Sequence, residues 1–140
     1  MLVATTHLRE THGLNIPCRI TGPTTWDHKY TRFEHPIRDV VELLSERGYL
    51  SLSVPVSVSF SLKGFWYAPV NADQDSDFAP GSPCRVNIVS ELGSYAQVCD
   101  HSDYRDNITA VDEGHFINYT FNKEKLLTFT FDSLQTITKK

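Results

Sequence analysis

The 140-residue chain lacks the motifs by which most enzyme families are recognised from sequence. It contains no G-x-S-x-G nucleophile turn, no phosphate-binding loop, no G-x-G-x-x-G and no H-E-x-x-H. The paired spacings C-x2-C and H-x3-H that mark zinc sites are also absent. These absences predict a protein that is not an enzyme and that has neither a cofactor nor a metal site.

Apolar residues recur along the chain, but no run reaches the roughly 18 to 20 residues that a membrane span needs. The first twenty residues are too polar for a signal peptide, so we expect an intracellular protein that is not secreted by this route. Cys18, Cys84 and Cys99 are an odd, widely spaced set, which predicts reduced thiols in a cytosolic setting. Without a secretory route, the glycosylation patterns at Asn107 and Asn118 are interpreted as chance matches.

The patterning that is present favours β-structure. Apolar and small polar residues alternate from Leu50 to Leu62, which predicts one long strand with a bend near Pro55. Apolar residues at helical spacing predict an amphipathic helix from Pro36 to Arg47, ended by Gly48. Further strands are predicted for eight ranges: 2–8, 14–21, 64–70, 85–89, 95–99, 108–111 and a closing hairpin of 115–121 with 126–134. The predicted fold is a single mainly β (α+β) domain over residues 1–140, a β-sandwich or curled barrel of about eight or nine strands with one packed helix.

Two groups of residues invite a chemical interpretation. Asp73, Asp75 and Asp77 alternate as calcium ligands do, but Phe78 and Cys84 stand where such a loop needs glycine and glutamate, so a solvated acidic loop is favoured. Cys99 and His101 could serve a small hydrolase as nucleophile and base. Residues 64–114 hold nine acids against only Arg85 and Arg105, which favours acidic loops that face solvent, with a dipolar surface suited to self-association or docking as the alternative.

The closing hairpin carries a resemblance. Residues 114–121, GHFINYTF, and residues 126–134, LLTFTFDSL, are similar to a hairpin of the small bornavirus matrix proteins. The order of a strand at 14–21, an aromatic connector at 26–33, a helix and a long apolar strand resembles that of rhabdovirus matrix proteins. Both belong to the matrix proteins of non-segmented negative-strand RNA viruses.

The resemblance implies a non-enzymatic structural protein of the virion or host cytoplasm that forms homo-oligomers and links membrane to nucleocapsid. Its implied partners are further copies of itself, a nucleocapsid or host protein, and a peripheral membrane surface, with RNA left open. The candidate contacts with an anionic surface are lysines, namely Lys63, Lys123, Lys125, Lys139 and Lys140. The candidate protein-interface residues are Trp26, Tyr30 and Trp66. Two alternatives stay open, an accessory module that captures a protein partner and the Cys99/His101 hydrolase.

Overall fold

The computed structural model describes residues 2–5, 18–23, 37–48, 55–59, 62–85, 92–111 and 116–140. The strands in these ranges are β1 (Leu2–Thr5), β2 (Val56–Ser59), β3 (Gly64–Tyr67), β4 (Leu92–Gly93), β5 (Thr109–Val111), β6 (Ile117–Asn122) and β7 (Leu127–Phe131). The α-helices are α1 (Ile37–Glu46), α2 (Ala96–Cys99), α3 (Ser102–Arg105) and α4 (Leu134–Lys139), and a 3₁₀ turn spans Asp75–Phe78. None of the described helices is long and apolar enough to cross a membrane.

A five-stranded antiparallel sheet with the order β4-β3-β7-β6-β5 organises the carboxyl-terminal half of the chain. The predicted closing hairpin forms its centre, where Thr120 pairs with Phe129 and Phe121 with Thr128. β3 adds to the other side of β7, where Trp66 pairs with Phe129. Successive side chains of a strand point to opposite sides of the sheet, so neighbouring residues of β7 face different sides. The two sides are covered by different parts of the chain.

The first side of the sheet carries Phe65 and Tyr67 and is covered by irregular backbone. Residues 18–20 and 82–84 exchange hydrogen bonds, including Cys84 N–H to the Cys18 carbonyl at 3.0 Å. A Cys18–Cys84 disulfide with a Cα–Cα distance of 5.0 Å joins these segments over the core. The prediction of three reduced thiols is therefore wrong for this pair, and Cys99 alone is free.

Two buried threonines of β7 hold this cover in place. Thr128 donates its hydroxyl hydrogen bond to the Phe78 carbonyl at 3.0 Å, and Thr130 donates to the Thr21 carbonyl at 2.7 Å. Both threonine side chains are fully enclosed. The cover segments lie outside the sheet ladder, so their carbonyl groups have no partner in it. The two threonine hydroxyls supply hydrogen bonds to carbonyl groups that burial would otherwise leave unpaired.

The second side of the sheet is covered by α2 and α3. Val98 and Tyr104 of these helices pack with Phe129 and Phe131 of β7 in one buried cluster. Gly93 at the sheet edge allows the close packing, since a Cβ there would lie 2.5 Å from Trp66 Nε1 and 2.7 Å from Phe129 Cε2. A larger residue at this position would push the ring of Trp66 off the sheet.

The prediction of a sandwich or barrel with eight or nine strands and one helix is wrong. The described strands form one five-stranded sheet and a separate two-stranded sheet of β1 and β2, and the buried clusters on the five-stranded sheet include loop residues on one side and residues of α2 and α3 on the other. Residues 95–99, predicted as a strand, include helix α2, and the end of the predicted range 126–134 opens helix α4. The fold is α+β. The prediction at 95–99 failed because apolar residues at short spacing fit one helical turn as well as a strand.

Other predictions have mixed outcomes. The helix is confirmed as α1, where Ile37 and Leu44 are buried while Val41 of the predicted apolar face is 41% exposed. The predicted strand 50–62 is seen as β2, which pairs in parallel with β1 through Leu2 and Val56. Residues 50–54, 60 and 61 lie outside the described residues, and so do 6–17, 24–36, 49, 86–91 and 112–115.

Candidate functional site

The hydrolase residues Cys99 and His101 are close in sequence but are not joined in the structure. Cys99 ends α2, and its half-buried side chain hydrogen-bonds to the Tyr95 hydroxyl. That bond is the largest cause that raises the pKa of Tyr95 above its ordinary value, with burial second. His101 is exposed before α3, and among the described residues no hydrogen bond connects it to Cys99. A nucleophile without a base in contact gives this pair no support as a catalytic site.

The acidic loop is organised by its own backbone. The Asp77 carboxylate accepts hydrogen bonds from the backbone N–H of Asp73 at 3.1 Å and of Gln74 at 3.0 Å. Asp75 forms an ion pair with Lys123. In the part of the chain that the structure describes, no group of three or more His, Cys, Asp or Glu side chains could hold a metal ion. The loop is therefore a capped turn in which backbone N–H groups engage the Asp77 carboxylate.

The predicted anionic-surface lysines are scattered, and three of them face carboxylates. Lys123 pairs with Asp75, and Lys125 lies 3.7 Å from the Asp103 carboxylate and 5.4 Å from the centre of the Tyr104 ring. Lys63 precedes β3 and Lys139 ends α4, and both are exposed. Carboxylates beside Lys123 and Lys125 reduce the positive potential that an anionic surface would meet.

Lys140 is a correction to that set, because its side chain is enclosed with Asp132 and both side chains have 0% exposure. The Lys140 ammonium bonds Asp132 Oδ1, and the Thr136 hydroxyl donates to the same oxygen at 3.2 Å. Burial raises the pKa of Asp132 above its ordinary value, and Lys140 and Thr136 partly oppose this rise. No partner among the described residues reaches Asp132 Oδ2. The Lys140 ammonium is therefore paired inside the fold and is not presented to solvent.

The predicted interface aromatics divide between core and undescribed residues. Trp66 packs 4.6 Å from Phe129 and 5.2 Å from Tyr104 between ring centres, so most of its ring serves the core. Trp26 and Tyr30 lie outside the described residues. Among the described aromatic side chains, Tyr95 is the one in the exposed class, at 43%, and its ring centre lies 4.9 Å from that of Phe131.

Tyr95 stands in a polar surface formed with Ser94 and Gln97, which we call the Tyr95 surface. Both polar residues are exposed, and Gln97 Oε1 accepts the Ser94 backbone N–H at 3.0 Å. The sequence carries the signal for this turn, since Ser94-x-x-Gln97 matches a helix-starting capping box. The Tyr95 ring packs against Phe131, with 4.9 Å between the ring centres. A fixed ring beside an amide can bind an amphipathic ligand such as a sugar.

Comparisons with known proteins give a fold relationship. A class V chitinase variant from Nicotiana tobaccum, solved in complex with NAG4, matches with a TM-score of 0.54 and 16% identity over 86% of this chain. The class V chitinase from Nicotiana tobaccum matches with a TM-score of 0.53 and 15% identity over 85% of this chain. The chain spans about a third of the chitinases' length, 34% and 33%. No protein-family model matches the chain, and no curated protein matches it.

Proposed function

We propose that this chain is a glycan-binding part of a chitinase-like protein and that the Tyr95 surface contacts an oligosaccharide of the chitin type. The observation that carries the proposal is the fold likeness over 86% of the chain to a chitinase solved in complex with NAG4. The chain corresponds to about a third of that enzyme, so the proposal assigns it one part of a binding site.

The chemistry of the Tyr95 surface supports this role. An exposed tyrosine ring offers an apolar face to a pyranose ring, and the neighbouring Gln97 amide offers a donor and an acceptor to hydroxyl and acetamide groups. The Tyr95 ring is held by Phe131 before any ligand arrives. A preformed ring limits the entropy lost on binding, which favours affinity from a small contact area.

Binding without cleavage is the second element of the proposal. Glycoside hydrolysis uses two carboxyl groups, one of them a general acid with a raised pKa, placed on either side of the bond to be cut. The described carboxyl with a raised pKa is Asp132, which is enclosed with Lys140 and does not reach solvent. Asp103 is engaged by Lys125 and by Asn122. Neither carboxylate is arranged as a general acid that meets a substrate.

The test is titration of the purified chain with NAG4, followed by calorimetry and by mass analysis of the sugar. We expect weak saturable binding, at least about tenfold weaker in Tyr95→Ala, which corresponds to about 1.4 kcal/mol. Tyr95→Phe keeps the ring and should retain binding. Leu134→Ala, at a side chain that is 79% exposed on α4, is the matched control and should bind like the original chain. Absence of binding, or equal binding by Tyr95→Ala, would contradict the proposal, and release of shorter sugars would contradict its non-catalytic element.

The viral matrix prediction and the partner-capture alternative stay predictions. The matrix role depends on lysines, of which Lys140 is enclosed and Lys123 and Lys125 face aspartates, so these three residues do not favour it. Light scattering against protein concentration, with flotation on anionic vesicles, separates the three roles. Growth into defined oligomers that float with the vesicles would support the matrix role over glycan binding.

A further inference from the structure

The two glycosylation patterns occupy opposite environments in the fold. Asn107 lies in the exposed turn between α3 and β5, and Thr109 of the same pattern is also exposed. Ile108 between them packs against the buried cluster of α2, α3 and β7. The turn is thus anchored through Ile108 while the acceptor asparagine and its threonine face outward.

The geometry at Asn107 leaves its amide within reach of an enzyme. Asn107 Nδ2 makes one long hydrogen bond, 3.3 Å to the Asp103 carbonyl, on an exposed surface. The Thr109 hydroxyl donates a hydrogen bond of 3.4 Å to the backbone carbonyl of Asn107. Both residues of the pattern therefore belong to the same turn. A glycan attached there would extend into solvent without displacing any core side chain.

The second pattern lies within the sheet. Asn118 is 8% exposed and sits between Ala110 of β5 and Phe131 of β7. Its threonine, Thr120, is fully buried and donates its hydroxyl to the Tyr104 carbonyl. A glycan on Asn118 has no room in the folded chain, which makes this pattern an internal control.

The Cys18–Cys84 disulfide supplies the independent observation. Structural disulfides form and persist in oxidising compartments, which include the compartment where N-linked glycans are added. Cys84 is 5% exposed within the core, so the pair is part of the folded structure rather than an accessible redox pair. The disulfide and the exposed pattern therefore indicate the same cellular route.

We propose that the chain matures in an oxidising secretory compartment and that Asn107 carries an N-linked glycan whereas Asn118 does not. In the transfer step, Asn107 Nδ2 forms a bond to the anomeric carbon of a lipid-linked oligosaccharide. The carbon–oxygen bond to the lipid diphosphate breaks, the diphosphate leaves with the lipid, and Nδ2 loses one proton. The oligosaccharide-transferring enzyme of that compartment catalyses the step, and no oxidant is consumed.

The experiment expresses the whole chain behind a cleavable secretion leader in eukaryotic cells and measures intact mass in cells and medium, before and after enzymatic removal of N-glycans. Leader cleavage, visible in the mass, shows entry into the secretory route. We expect one glycan per chain, lost in Asn107→Gln and in Thr109→Ala. Thr109→Ser keeps the hydroxyl and should keep the glycan, and so should Asn118→Gln.

Two outcomes would overturn the proposal. One is a leader-cleaved chain without any glycan, which would show that the Asn107 turn is not accepted. The other is a glycan that persists in Asn107→Gln and disappears in Asn118→Gln, which would place the modification in the sheet. Thr109→Ala retains the Asn107 side chain, so loss of glycan there cannot be attributed to loss of the hydrogen bond from Asn107 to Asp103.

Discussion

The Thr130 hydroxyl donates a 2.7 Å hydrogen bond to the carbonyl of Thr21, which lies 109 positions earlier in the chain. The bond joins the centre of the sheet to the segment that carries Cys18. With the Thr128 bond to the Phe78 carbonyl, it fixes the irregular cover of one sheet face at two points. The cover is therefore held by side-chain hydroxyls as well as by the disulfide.

We expect Thr130→Val and Thr128→Val each to lower the free energy of unfolding by about 1 to 3 kcal/mol, because valine keeps the shape and removes the donor to a buried carbonyl. Urea unfolding measures the change. Thr138→Val, which removes an exposed hydroxyl bonded to the Gln135 carbonyl, is the control and should change stability by less than about 0.5 kcal/mol. A Thr130→Val variant as stable as the control would show that the hydroxyls do not hold the cover.

The disulfide gives a second prediction. Cys18 and Cys84 are separated by 66 positions, so the cross-link restricts a long loop of the unfolded chain. The Cys18→Ala/Cys84→Ala variant should lose about 2 to 5 kcal/mol of stability. A reducing agent should lower the urea midpoint of the original chain towards that of the variant, and should leave the variant unchanged.

Cys99→Ala is the matched control for this experiment. The Cys99 thiol is free and bonds only the Tyr95 hydroxyl among the described residues, so its removal should leave the response to reducing agent intact. An original chain with the same midpoint in the presence and absence of reductant would contradict the pairing.

The enclosed ion pair predicts a pH dependence. The pKa of Asp132 is raised above its ordinary 3.8, so the folded chain holds this proton to a higher pH than the unfolded chain does. The stability that the folded chain gains by holding the Asp132 proton is complete below pH 3.8. It is lost as the pH rises through the folded-state pKa of Asp132. Lys140 limits the loss because its ammonium favours the charged carboxylate.

As the pH rises from about 4 to neutrality, the free energy of unfolding should therefore fall further in Lys140→Met than in the original chain. The difference should reach about 3 kcal/mol at neutral pH and should disappear in acid. Asp132→Asn has no carboxyl to ionise, so its stability should vary least over the same range. Urea midpoints at a series of pH values measure both. Parallel curves for Lys140→Met and the original chain would show that the pair does not govern the titration.

Local patterns predicted the elements that their own residues determine. Alternation on both sides of Asn122-Lys123-Glu124-Lys125 predicted the β6–β7 hairpin, and apolar residues at helical spacing predicted α1. Helix α2 was mistaken for a strand because a four-residue helix shows too little of the helical period to be distinguished by alternation. The Ser94-x-x-Gln97 pattern, in which Gln97 Oε1 accepts the Ser94 N–H, was the available signal.

Local sequence patterns could not predict the tertiary contacts. The partnership of Cys18 and Cys84 depends on segments that meet only when β3, β6 and β7 have assembled, and spacing alone does not give connectivity. The burial of Lys140 depends in the same way on Asp132, which precedes α4, whereas the resemblance to matrix proteins placed this lysine at an anionic-surface contact. The Tyr95 surface became visible only when Phe131 was placed beneath the ring.

The strand order carries a consequence for the path by which the chain folds. β6 and β7 are adjacent in sequence and can zip together early, whereas β3 reaches β7 only after the long segment between them has been closed into a loop. That segment contains the acidic turn, Cys84 and the short helices α2 and α3. We expect these parts to reach their native contacts only after the β3–β7 pairing has formed. We expect the hairpin to act as an early template, and the joining of β3 to be the slow step that commits the chain to its native state.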